Sequence, residues 1–167
     1  MKKILISAVA VIIALSQTAL ASGLSSWAEA GYDSVNSVGL IPYSIAVNDF
    51  SGSITREEFC EPIMNMYFML SGPEPQGIEC AFEDTDNASV IKAYSLGIVH
   101  GKPETKFCPG DFITRQEMAK TIIGTLTAAG INTHLTTEDL EKVCAFEDFG
   151  DTDDWAATDV AKNVKYE

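Results

Sequence analysis

The apolar residues of this chain fall into short stripes with helical spacing, and turn formers separate the stripes. Trp27, Ala30, Val35 and Val38 predict a helix over 27–38, with Gly39 as its stop. Val90, Ile91, Tyr94 and Leu96 predict a second over 88–96, stopped by Gly97. Two further stripes, Phe59, Ile63, Met66 and Leu70, then Met118, Ile122 and Leu126, each follow a Thr-x-x-Glu sequence, Thr55 to Glu58 and Thr114 to Glu117. That sequence is the capping box, in which the two side chains satisfy each other's orphan backbone donors at a helix start. Residues 136–143 and 155–164 predict a short helix and a last one. All these stripes are expected to face a core. Pro62 lies inside the helix behind Thr55 and is expected to kink it, since proline lacks a donor and crowds the preceding turn. Residues 71–79, with Gly72, Pro73 and Pro75, read as a connector.

The stripes recur in order. Cys80-Ala81-Phe82-Glu83-Asp84 returns as Cys144-Ala145-Phe146-Glu147-Asp148, and Ile54-Thr55-Arg56-Glu57-Glu58 as Ile113-Thr114-Arg115-Gln116-Glu117. Ser37-Val38-Gly39-Leu40-Ile41 matches Ser95-Leu96-Gly97-Ile98-Val99, and Trp27-Ala28 matches Trp155-Ala156. One unit of about 60 residues, repeated three times, accounts for all four matches. Each unit reads as helix, loop, helix. The third carries only its opening, so the expected division is repeat one with its connector over 22–79, repeat two over 80–143, and a truncated third over 144–167.

The start of the chain is different in kind. Lys2-Lys3, the apolar run Ile4 to Leu15 and the small-residue ending Ala19-Leu20-Ala21 form a secretory signal over 1–21. The apolar run is shorter than the ~20 residues of a membrane span, so an exported protein without a membrane anchor is expected after cleavage. Cys60, Cys80, Cys108 and Cys144 would then sit where disulfides persist, with three pairings open. No CxxC occurs, and neither His100 nor His134 neighbours a cysteine pair, so no metal site or cofactor is expected. The acidic runs from Asp84 and from Asp151 fail the calcium-loop test, with Ser95 and Lys162 where the last glutamate belongs.

With 46% apolar and 21% charged residues the chain is that of a folded protein, and its net charge of −13 argues against nucleic acid as a partner. An anionic ligand would need a local basic pocket. Nothing places two carboxylates around a cleft or a nucleophile beside a base, and no enzyme is expected.

The order Phe-x-Asp, Trp-Ala, Gly-Ile-x-x-Gly, Phe-x-Pro, Thr-Arg-x-Glu resembles the S-layer homology repeat of bacterial surface proteins. The middle copy carries it best, in Phe82-Glu83-Asp84, Gly97-Ile98-Val99-His100-Gly101, Phe107-Cys108-Pro109 and Thr114-Arg115-Gln116-Glu117. It lacks the Trp-Ala pair. The first copy has Phe50-Ser51-Gly52 for Phe-x-Pro, and the third has only Phe146-Glu147-Asp148 and Trp155-Ala156. The resemblance implies a mainly α fold of helix-loop-helix repeats in a pseudo-threefold assembly, here with an incomplete third repeat. It also implies non-covalent anchoring to the cell wall, through an anionic secondary wall polysaccharide or peptidoglycan-linked glycan with a pyruvate ketal, and a place in the wall or surface layer. Either the chain is a fragment of a longer surface protein, or another chain of the same kind completes the third repeat. The alternative function is a surface-layer subunit that self-assembles and binds no glycan.

Arg56 and Arg115 are the only arginines, and both hold the same motif position. A guanidinium clamps a carboxylate with two parallel hydrogen bonds, and the first turn of a helix favours an anion. The competing use is an ion pair with a neighbour such as Glu57 or Glu61. Trp27 and Trp155 would either stack a sugar or, more commonly, pin their helices to the core. Gly39, Gly97, Thr55 and Thr114 border the groove that the resemblance implies, although the glycines read first as helix stops and the threonines as caps. Asp84 and Asp148 are expected to cap the helices that follow them.

Overall fold

The capping boxes and glycine stops form where the sequence puts them, and they delimit the helices. The structure, a computed structural model, describes residues 23–70, 72–76, 81–102, 105–144 and 148–164. The leader expected over 1–21, Cys80 and Phe146-Glu147 lie outside the described residues. Among those described there are seven α-helices and no strand: α1 (Glu29–Ser37), α2 (Tyr43–Ala46), α3 (Arg56–Met69), α4 (Ala88–Ser95), α5 (Arg115–Ala128), α6 (Thr137–Cys144) and α7 (Asp154–Val164). The fold is mainly helical. None of these helices is long and apolar enough to cross a membrane. The chain divides into two units, Met1–Ser53 and Ile54–Glu167, a division that falls inside the first sequence repeat.

In the first unit α1 ends on Gly39 at φ +74, a left-handed conformation that a side chain would strain. The amide of Gly39 bonds to Asn36 O and that of Leu40 to Val35 O, which closes the helix end. Pro42 is buried and opens the single turn of α2, which the sequence reading took as loop. Tyr32 meets Phe50 edge-on at 5.2 Å. The stripe of α1 is not a core face: Ala30 is exposed, Val38 is 57% exposed, and no residue of α1 is buried. Trp27 lies before the helix and is 86% exposed, so it pins nothing.

The second unit has the core. Cys60, Ile63, Met64 and Tyr67 of α3 pack with Phe82, with Val90 and Ala93 of α4, and with Ile98, Val99 and Phe107 of the following loop. Each fully buried large apolar side chain contributes roughly 1.5–3 kcal/mol. Thr55 accepts from Glu58 N while Glu58 takes the Thr55 N–H, and Thr114 and Glu117 do the same for α5. The two capped entrances lie side by side: Arg56 N donates to Asp111 O (2.9 Å) and Ile113 N to Ile54 O (3.1 Å). Helix α3 packs on α4 and on α5, while α5 and α6 both pack on α7. The second helix of each copy thus meets the first helix of the next.

Pro62 does not interrupt α3, which runs 14 residues through it. The buried residues on both sides of the proline, Cys60, Ile63 and Met64, hold the helix in the core. The buried face of each long helix is also rotated from the sequence stripe. In α5 the buried positions include Thr121 and Thr125, while Met118, Ile122 and Leu126 are half-buried. Each threonine hydroxyl donates to the carbonyl one turn back, Glu117 O at 2.7 Å and Thr121 O at 2.8 Å, so neither is left unsatisfied.

Candidate functional site

Arg56 is the first residue of α3 and is 8% exposed. Its Nε donates to Phe107 O at 3.0 Å, Nη2 to His100 O at 2.9 Å, and Nη1 to Glu117 Oε1 at 2.9 Å. The guanidinium also lies 4.6 Å from the centre of the Phe107 ring. Three of its five N–H groups are therefore committed to the next copy's loop and second helix. Its carboxylate partner is Glu117, not Glu57 or Glu61. Glu117 has a second task, since its Oε2 accepts from Thr114 N at 2.8 Å. Burial pushes the Glu117 carboxyl up, but the Thr114 amide and the charges of Arg56 and Lys102 outweigh it and hold the group below its usual value.

Loop 97–111 is fixed from the other side by Asp84. Its carboxylate accepts from Phe107 N at 2.8 Å and from Cys108 N at 2.9 Å. Cys108 has φ 58, an uncommon conformation for a residue with a side chain, and this clamp holds it there. Asp84 is thus not the cap of α4: Asn87 is, accepting from Ser89 N and Val90 N. Asp148 likewise makes no side-chain cap bond. The Phe107 amide chiefly, helped by Cys108 and Lys106 against the effect of burial, holds the Asp84 carboxyl below its usual 3.8. A folded value below the unfolded one gives stability that is present above the unfolded value and disappears as pH falls through the folded one. The urea midpoint is therefore expected to drop between about pH 5 and pH 3, and less steeply in Asp84→Asn. An equal slope in both proteins would count against the clamp.

Between the loop and α5 lies a cleft of about 160 Å³, about the space of five waters and enough for the acidic head of a ligand. Arg56, Lys102, Lys120 and Glu117 line it, with the His100-Gly101 backbone and Trp155 of α7. Lys102 reaches Asp111 at 3.0 Å and Glu117 at 3.6 Å. Lys120 Nζ lies 5.4 Å from the centre of the Trp155 ring, and that indole is 49% exposed. Trp155 therefore does not pin α7 in a core; it forms part of the cleft wall.

The other sequence candidates are placed apart. Arg115, although equivalent to Arg56, is exposed and lines a different groove together with Asp148 and Asp151. Trp27 and Gly39 belong to the first unit. Gly97, at φ +70, ends α4, and Thr55 and Thr114 are occupied as caps. Cys60 and Cys108 are free thiols; burial pushes the Cys60 thiol up to about 12, against the nearby Arg56 charge. The pairing of Cys80 and Cys144 lies outside what is described. Lys102 and Lys120 were missed by the sequence reading. The signal was available for Lys102, which stands in the Gly-Ile-x-x-Gly-Lys loop, but not for Lys120, whose place depends on α5 facing α7.

No curated protein and no solved structure matches the chain. Residues 84–119, from the Asp84 clamp through the loop to the first turns of α5, match the family model of the S-layer homology domain.

Proposed function

We propose that this chain anchors non-covalently to the bacterial cell wall, and that the cleft beside Arg56 holds an acidic group of a secondary wall polymer. One observation carries the reading: three cations line one small cleft against one carboxylate in its wall, Glu117, and one on its Lys102 rim, Asp111, in a chain of net charge −13. Such a local excess attracts an anion that the protein as a whole would repel. Lys102 and Lys120 are exposed at the rim and supply mobile donors, while Arg56 holds the floor and contributes charge. Trp155 offers an apolar face beside them for the sugar that bears the acid. A carboxylate on a terminal sugar, of the pyruvate-ketal kind that the S-layer homology resemblance implies, suits the cleft's size and charge. The leader over 1–21 would deliver the chain to the wall. The match over 84–119 supports surface anchoring in general.

The test is co-sedimentation of residues 22–167 with purified walls, before and after chemical removal of the secondary polymer. Pelleting with intact walls and not with stripped ones is expected. Equal pelleting with both, or none with either, would overturn the reading.

A further inference from the structure

Arg56 is the first helical residue of one copy of the motif and Glu117 the third of the next, and their contact joins α3 to α5. Shifting by one copy, Arg115 is the counterpart of Arg56, and Glu58 that of Glu117. Both counterparts are exposed. Arg115 makes no hydrogen bond or ion pair among the described residues. Glu58 bonds Thr55 through Oε2, as Glu117 bonds Thr114, and its other oxygen meets no partner among the described residues. The second unit thus presents an arginine half of its own internal interface on α5 and a glutamate half on α3.

We infer that a second copy of this chain docks head to tail on the α5 face, with Arg115 of one copy paired to Glu58 of the next. The groove beside Arg115 has the features that the internal interface uses. Met118 and Ile122 form its apolar wall, at the positions that Phe59 and Ile63 hold on α3. Asp148 stands where Asp84 stands in its copy, and its carboxylate makes no hydrogen bond among the described residues. At Asp84 that carboxylate receives two backbone N–H groups of a loop. The groove holds about 600 Å³, room for a chain segment rather than an acidic head group. With Asp148 and Asp151 beside one arginine, the groove suits backbone N–H donors together with one carboxylate paired to Arg115, rather than a polymer that carries repeated negative charge. Such an interface uses different surfaces on the two partners, so it extends into chains or closes into a ring. It is independent of the wall-binding reading.

The experiment is a light-scattering mass measurement on residues 22–167, alone and as charge reversals. The wild type is expected to exceed the monomer mass increasingly up to concentrations of about 100 µM. Arg115→Glu and Glu58→Arg should each remain monomeric, because like charges then face each other across the contact. An equimolar mixture of the two should associate again, since each restores the opposite pair for the other. Circular dichroism should show native helix content in both variants: Arg115 is exposed and takes no part in a cap, and Glu58→Arg loses only the glutamate half of the α3 capping box, since the Thr55 hydroxyl still accepts from the amide of residue 58. A monomeric wild type, a single reversal that associates like the wild type, or a mixture that remains monomeric would each overturn the pairing.

Discussion

Replacing Arg56 by alanine is expected to destabilise the second unit by about 3 kcal/mol, whereas Arg115→Ala should shift its stability by at most about 0.5 kcal/mol. The two arginines share a motif, a helix position and a capping box, so any difference must come from what surrounds them. Around Arg56 there are two backbone carbonyls, the Phe107 ring and the partly buried Glu117. Removing the guanidinium leaves a carboxylate without its ion-pair partner and two carbonyls without their donors in a place that water reaches poorly. Breaking one side of such a pair is far more costly than the net worth of the pair itself. Lysine restores the charge but not the planar fork, and it can reach only one of the three partners at a time, so Arg56→Lys should fall between wild type and alanine. Arg115 has none of these neighbours among the described residues. Urea unfolding at micromolar protein, where association does not contribute, measures both variants. Equal effects at the two positions would mean that Arg56 is not the link between copies.

The local features of this fold were legible because they are decided within one turn of chain. Thr55 with Glu58, Thr114 with Glu117, and Gly39 and Gly97 set helix limits through bonds to residues three to five places away. The features that failed depend on distant chain. Thr121 and Thr125 read as polar and turned out buried, because their hydroxyls are satisfied inside the helix and the face that matters is chosen by α3 and α7. Ala30, Val38 and Trp27 read as a core stripe and are exposed, since none of the described residues of the first unit covers that face of α1. Asp84 read as a helix cap because it precedes one. Its partners, Phe107 and Cys108, lie more than 20 residues on, and no local pattern names them. The two candidate arginines share a motif position but not their surroundings: Arg56 lines the cleft between the loop and α5, and Arg115 a different groove. What the sequence did not reveal is that Arg56 is largely committed to its own protein, which in the proposed wall-binding function leaves the ligand to Lys102 and Lys120.

That division of labour makes the second large effect. Lys102→Ala together with Lys120→Ala is expected to weaken binding to the wall polymer by about 100-fold or more while leaving the urea midpoint nearly unchanged. A charge-assisted hydrogen bond to a carboxylate is worth about 1.5–3 kcal/mol, and each 1.4 kcal/mol is about a factor of ten in affinity. Stability should be spared because the Lys102 side chain is 41% exposed, its bond to Asp111 is a surface ion pair that contributes little, and Glu117, 3.6 Å away, keeps its shorter bond to Arg56. Arg56 cannot serve as the probe, since its loss damages the fold before any ligand arrives. Lys142→Ala is the matched control: it removes a lysine from α6, paired with Glu138 and outside the cleft, and should leave binding as it was. Salt sharpens the comparison. Contacts made by rim lysines are screened within about 8 Å at physiological ionic strength, so wild-type binding should fall steeply with added salt and the double variant's residual binding should not. Trp155→Ala separates the remaining case. If it abolishes binding while the lysine pair and salt have no effect, the cleft recognises a neutral sugar face, and the acidic-group assignment is wrong.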